Sequence, residues 1–416
     1  MVKQIMKWLA QHWLLAAWIG FALTRIYIFL HLPGYVRYFE EYANIWFYGW
    51  PPYLKHWFEY PPATIPFISL PLYLDHWGIG FYRFNFRAMM FLVDALLFEA
   101  IILTVKKMKY ANLTKLANLA FYLIVTLKAK DFLYENLDLM FVMSMFLPTV
   151  ASLILPRWQG WVTWLSYWFG IGIKLINAPL GALYWLREIH VARNWQDWIK
   201  KSLIPIISFL LIWAGPLLIY RSALSVVIIY HQHRTLQVES LPALIVRAIN
   251  IFTHTESIYL SDYKSYDLKG PVSNIVLPLA LAMLVLVMMA WLIWLFKNRR
   301  QTNNSVFLMK ATLVFIFSYL AANKVFSTQY HLWYLPLIAV YPYSSQKQRF
   351  TFFILTAIFV GVATTRIPPL TVGATDWSTL IPILTQIPIG FWLMISSYTL
   401  PVSNQIQERK SAKKTK

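Results

Sequence analysis

A lysine, a histidine, two amides, two aliphatic hydroxyls and a tryptophan crowd into residues 323–336, NKVFSTQYHLWYLP, directly after a long apolar run. Polar groups at a membrane boundary are costly to desolvate, so a cluster this dense points to a site. Lys324 and His331 stand seven residues apart, two turns on one face if the segment is helical throughout. Cations so spaced would grip a phosphate, with Gln329 and Tyr330 as hydrogen-bond partners. A third cation, Arg234, lies in HQHRTLQVES beside Gln237 and Glu239, and its planar guanidinium can hold phosphate oxygens in pairs. Carboxylates occupy two further segments: Glu40, Glu41 and Glu59 in one, Asp131, Glu135 and Asp138 in the other. Carboxylates facing cations suit a reaction that deprotonates one hydroxyl while stabilising an anionic leaving group.

The elements that must position these groups are membrane helices. Of 416 residues 59% are hydrophobic and 13% charged, about half the charged share of an ordinary soluble domain. Apolar runs repeatedly approach the ~20 residues that span a bilayer. The formal net charge of +20 does not indicate a nucleic-acid partner. Its lysines and arginines fall in short clusters between apolar runs, the pattern that orients helices and meets anionic lipid headgroups. With no cysteine in the chain, thiolate chemistry and disulfides are excluded. His231 and His233 have no third ligand at a convincing spacing, so neither a metal nor a cofactor is expected.

Placing the basic clusters in the cytoplasm gives one domain over residues 1–400 and a basic cytoplasmic tail at 401–416. Helices are expected at 11–32, 88–105, 110–127, 139–155, 202–220, 271–296, 305–322, 332–343, 350–366 and 380–400. Residues 63–75 are short for a span and carry Pro66 and Pro71; 161–186, with Gly170, Gly172, Lys174 and Pro179 at its middle, reads as a hairpin of two short helices. The fold class is an all-α polytopic membrane protein of about twelve helices, both termini cytoplasmic. The segments near 33–62, 128–138, 221–269 and 323–332 then share the outer face and form a mixed acid and base chamber.

Four segments resemble the GT-C superfamily of membrane glycosyltransferases, and within it glycosyltransferase family 87, which uses polyprenyl-phosphate-mannose. Residues 49–62, GWPPYLKHWFEYPP, are similar to that family's Gly-x-x-Pro-Tyr followed by Glu-Tyr-Pro-Pro. HRTLQVES at 233–240 resembles Arg-Gly-x-Gln-x-Glu-Ser, and KVFSTQYHLWYLP at 324–336 is close to Lys-Val-Phe-Ser-Pro-Gln-Tyr-x-x-Trp. Residues 174–179 look like a degenerate form of its Lys-x-x-Pro element. The resemblance implies a GT-C bundle in the plasma membrane and transfer of a hexose, mannose by family default, from a polyprenyl-monophosphate carrier. The acceptor is a hydroxyl of a glycolipid, glycan or protein on the non-cytoplasmic face, the anomeric configuration inverts, and no nucleotide site or cofactor is needed.

The family's loop aspartate, the general base, would align with Tyr35, a phenol that is a poor base at neutral pH. Either Glu40 or Glu41 takes over, with Glu41 favoured, or the chain is catalytically silent. A transporter or flippase of lipid-linked sugars is the other alternative, because charges within a bundle also mark transport paths. Lys324, His331 and Arg234 are expected to bind the donor phosphate, and the mid-helix Arg25 to face either the bundle interior or that phosphate. Glu59, Tyr60, Asp138, Lys174, Gln237, Glu239, Gln329, Tyr330 and Tyr35 are expected to contact substrate or to support the loops. Arg234 has a competing pairing with Glu239, and Lys324 a competing role as a snorkelling interfacial lysine.

Overall fold

The computed structural model describes residues 1–192, 194–263, 265–364 and 377–402. Most of the expected basic tail, from residue 403 onward, lies outside them. The chain opens with α1 (Val2–Gln11), none of whose residues is buried, and α2 (Trp13–Leu30). The expected loop at 33–62 contains a helix, α3 (Arg37–Phe47). Its inward positions are Phe39, Tyr42 and Ala43, the i, i+3, i+4 spacing of a half-buried helix, so Glu40 and Glu41 are turned outward. In α4 (Ile65–His76) Pro66 occupies the first turn, where a missing N–H costs little. Asp75 accepts the Tyr82 amide at 3.0 Å and starts α5 (Tyr82–Lys106) well before the expected residue 88.

After α6 (Asn112–Lys128) and the single turn α7 (Lys130–Leu133) comes α8 (Asp138–Ile154). Its first residue is an acid set against the positive end of its own helix dipole. The expected hairpin forms from α9 (Gln159–Ile173) and α10 (Leu180–Val191). Its rings meet in antiparallel order, Tyr167 against Tyr184 at 5.8 Å and Trp164 against Trp185 at 6.3 Å. Gly181 admits the Tyr167 ring, whose hydroxyl donates to the Ala178 carbonyl at 2.9 Å. The backbone at Lys174 is extended and a short 3₁₀ turn follows, so Lys174 is the hairpin tip.

Near that tip, α9 presses on the segment that carries Glu59. A Cβ at Gly172 would lie 2.5 Å from the Cβ of Ala63. Gly172→Ala is therefore expected to cost about 1–3 kcal/mol and to loosen both segments together. Thermal unfolding in detergent checks this against Gly215→Ala, whose added Cβ meets nothing.

Next come α11 (Trp195–Tyr220), α12 (Ser225–His233), α13 (Leu241–Thr253) and α14 (Pro271–Lys297). Between them lie β1 (Leu236–Gln237), β2 (Ser257–Leu260) and β3 (Tyr266–Lys269), an antiparallel sheet in the order β1–β3–β2 that the all-α expectation omits. α15 (Ser305–Ala322) is apolar around nearly its whole circumference and buried accordingly, packed by α8, α10, α14 and α18 (Trp377–Thr399). The helix expected at 332–343 is not continuous: a 3₁₀ turn, Thr328–Trp333, leads into α16 (Leu335–Val340), only 6 residues long. After α17 (Gln346–Thr364), α18 ends the described helices.

Among the described residues seven helical runs are long and apolar enough to cross a membrane, by length and composition. They are α2, α5, the run of α11 and α12, α14, α15, α17 and α18, which supports the multi-pass reading. The four segments assigned to one face do meet. Val36 N–H donates to Glu135 at 2.8 Å, Trp333 to Asp138 at 2.7 Å, and Lys324 to the Gln232 carbonyl at 3.0 Å.

Candidate functional site

Three elements converge where the hairpin tip meets the start of α8. Lys174 Nζ donates to Asp138 Oδ1 at 2.8 Å, and Trp333 Nε1 donates to the same oxygen at 2.7 Å. The ammonium also lies over the rings of Tyr330, at 4.7 Å, and Trp333, at 5.2 Å. Asp138 is buried, so its charge is neutralised by the tip lysine rather than by water. The Tyr60 phenol is close enough to feel both Glu59 and Asp138.

The 231–240 and 323–333 segments are sutured side by side. Gln237 N–H donates to the Lys324 carbonyl at 3.0 Å. Lys324 Nζ reaches back to the carbonyls of Gln232 and Arg234, at 3.0 and 2.5 Å. Gln237 Nε2 donates to Glu239 at 2.8 Å and to Ser327 Oγ at 3.3 Å. Arg234 Nη2 donates to Ser265 at 2.9 Å and to Gln237 Oε1 at 3.3 Å, and its guanidinium lies over Tyr230 and Tyr263. Its buried Nε has no hydrogen-bond partner. His231 lies where the charges of Arg234, Lys174 and Lys324 all reach it.

Burial, reinforced by the Arg234 charge, lowers the Lys324 ammonium below the ordinary lysine range. Solvent reaches Glu239, yet protein rings it, and that low-polarity setting raises its carboxyl above the usual range despite the Gln237 hydrogen bond.

Glu59 faces a cavity of about 320 Å³ walled by Tyr38, Tyr42, Trp57, Tyr230, Asp262 and Tyr263. Tyr38 and Tyr42 stand one turn apart on α3, and each donates its hydroxyl to Glu59, Tyr42 at 2.9 Å. Burial, and then the Glu59 charge, pushes both phenols well above their ordinary range, so they remain protonated donors. Tyr230 and Tyr263 are also the two rings beneath Arg234. The Glu59 cavity therefore shares two of its walls with the Arg234 guanidinium, whose buried Nε is unpaired.

Several expected site residues lie elsewhere. Glu41 pairs with Arg37 at 3.3 Å and its side chain is 53% exposed. Glu40 pairs with Arg83 at 2.9 Å. Neither lines the cavity, because α3 presents its Tyr38–Tyr42 face to it. Arg25 is 1% exposed and bound to Asp94 through two oxygens, Nε–Oδ2 at 2.7 Å and Nη2–Oδ1 at 3.2 Å. Tyr122, Tyr134 and Thr126 complete that network, so of the two expected settings, interior or phosphate, Arg25 takes the interior one.

His331 is fully buried, its Nδ1 hydrogen-bonded to the Tyr334 hydroxyl, and burial pushes the imidazole down to about 3. It is neutral at physiological pH and cannot serve as a second phosphate-gripping cation. The extended backbone before the 3₁₀ turn also removes the two-turn register with Lys324. Tyr35 stacks on Phe132 at 6.1 Å, away from the cavity, and Gln329 is half-buried in the turn.

The cavity walls were not expected from the sequence, apart from Glu59. A signal was present: Tyr38, Tyr42 and Trp46 recur every fourth residue, the period of one helical face. Among the described residues, no group of three or more His, Cys, Asp or Glu side chains could hold a metal ion. Comparison with protein-family models, curated proteins and solved structures finds no match in any of the three.

Proposed function

We propose that the chain is a membrane glycosyltransferase that moves a hexose, mannose by preference, from a polyprenyl-monophosphate carrier to an acceptor hydroxyl. The observation that supports this best is the cavity that sets Glu59 beside Tyr230 and Tyr263, the two rings under the Arg234 guanidinium, whose buried Nε is unpaired. Its size suits a small polar ligand. On this reading Glu59 takes the proton of the acceptor hydroxyl as its oxygen attacks the anomeric carbon. The bond from that carbon to the phosphate oxygen breaks, the configuration inverts, and Arg234 holds the departing phosphate. Lys324 acts at one remove, fastening the turn that aims Arg234. The site end is then the non-cytoplasmic, chamber-bearing face of a GT-C bundle with about twelve membrane segments, some of them short, in the plasma membrane with both termini cytoplasmic.

The test is purified protein, a polyprenyl-phosphate hexose and a panel of glycolipid, glycan and peptide acceptors. Acceptor-dependent release of polyprenyl phosphate is the expected result. Movement of the donor across a vesicle bilayer with no release would replace the transferase by a flippase, and binding alone would leave a silent member. Arg234→Gln is expected to raise the donor KM about 10–100-fold, the worth of hydrogen bonds to a charged phosphate. Initial rates over a donor titration read this out, and an unchanged KM removes Arg234 from the phosphate site.

A further inference from the structure

The fold buries a second arginine that its mechanism does not use. Arg187, on α10, is 2% exposed, nearly as buried as Arg25 at 1%. The two are treated in opposite ways. Arg25 has a carboxylate on two of its nitrogens and a threonine on the third. Arg187 has no ion-pair partner among the described residues, and its buried Nε and Nη1 make no hydrogen bond. Glu188, its neighbour in sequence, is the carboxylate whose charge it feels, and Glu188 feels Arg187 ahead of Lys201 and Asp197 of α11. Successive helical positions point about 100° apart, and the buried Glu188 Oε1 makes no hydrogen bond to the guanidinium.

Arg187 instead shares a face with Tyr184, one turn earlier, and each feels the charge of the other. Thr312 of α15 lies beside the Tyr184 hydroxyl. Both hydroxyls are buried and neither makes a hydrogen bond, the two lying close but outside bonding geometry. Two guanidinium nitrogens and two hydroxyls, all buried and all without a hydrogen-bond partner, form a donor-rich cluster.

The place of this cluster narrows the acceptor. The hairpin turns at Lys174, so α10 carries Arg187 to the end of the bundle opposite the cavity. There α10 packs against the turn Arg299–Gln301, which brings Arg299 and Arg300 to the same rim. A neutral ligand would add nothing to the charge compensation that Glu188 gives from a distance, whereas an oxyanion meets the unpaired guanidinium donors and the hydroxyls together. We propose that Arg187, Tyr184 and Thr312 form a binding site for a phosphate oxyanion at this rim, supplied by an anionic phospholipid headgroup or by free phosphate. Basic pockets between membrane helices take headgroups by this chemistry.

The test follows thermal unfolding of delipidated, detergent-solubilised protein with phosphatidylglycerol, phosphatidylcholine or inorganic phosphate added separately. Phosphatidylglycerol is expected to raise the midpoint by several degrees and phosphatidylcholine not to. In Arg187→Met the rise is expected to vanish. A full rise with inorganic phosphate alone supports the oxyanion site and names the soluble source. Should Arg187→Met fail to fold, Tyr184→Phe with Thr312→Val keeps the charge and is expected to weaken the rise. An equal rise in either variant overturns the proposal, as does an equal rise with phosphatidylcholine or no rise in the wild type.

Discussion

Glu59→Gln is expected to lower the rate of sugar transfer by about 10²–10⁴-fold, the range ascribed to a positioned general base. The amide keeps the volume and accepts the Tyr42 hydroxyl, at 2.9 Å in the wild type, but it cannot take a proton. Donor affinity should change little, because the phosphate grip is assigned to Arg234, over the Tyr230 and Tyr263 rings. The contrast with the neighbouring carboxylates is the discriminating part. Glu40→Gln and Glu41→Gln alter solvent-facing pairs with Arg83 and Arg37, so each should stay within about twofold of wild type. Released polyprenyl phosphate, measured in one turnover and at steady state, separates the three. Full activity in Glu59→Gln, or a large loss in Glu41→Gln, would return the base to α3's outer face.

The largest effect on stability is expected at Asp94. This carboxylate receives Arg25 and the hydroxyls of Tyr122 and Tyr134, at 3.0 and 2.7 Å, in a region closed to solvent. Asp94→Asn removes the countercharge and leaves a guanidinium at 1% exposure. Breaking a buried pair from one side in this way costs about 3–5 kcal/mol. The midpoint of thermal unfolding should fall sharply. Arg25→Met combined with Asp94→Leu should recover most of the loss, since an apolar pair has no charge to strand. A single mutant as stable as wild type would mean that solvent reaches the pair.

Local signals carried much of this fold. α15 spans Ser305–Ala322, as its apolar run and flanking polar residues indicate. The hairpin tip follows from Gly170, Gly172, Lys174 and Pro179, and Asp138 begins its helix as an acid should. Arg234, Gln237, Glu239 and Lys324 do come together. What stayed hidden depended on direction rather than identity. Glu41 and Glu59 are both loop carboxylates in sequence, and only the helical register of α3 decides which one faces the cavity. The strands are 2 to 4 residues long, too short for an alternation to stand out. Spacing suggests a cation at His331 because it shows where a side chain lies along a helix, not how deeply it is buried.

Lys324 holds two main-chain oxygens, those of residues 232 and 234. A fastening made to the peptide backbone is blind to the side chains it passes. Evolution is thus free to vary Gln232 and His233 without unhooking the turn, whereas the ammonium has no such latitude. Divergence around this latch should therefore be lopsided, restless on the α12 side and still at the lysine.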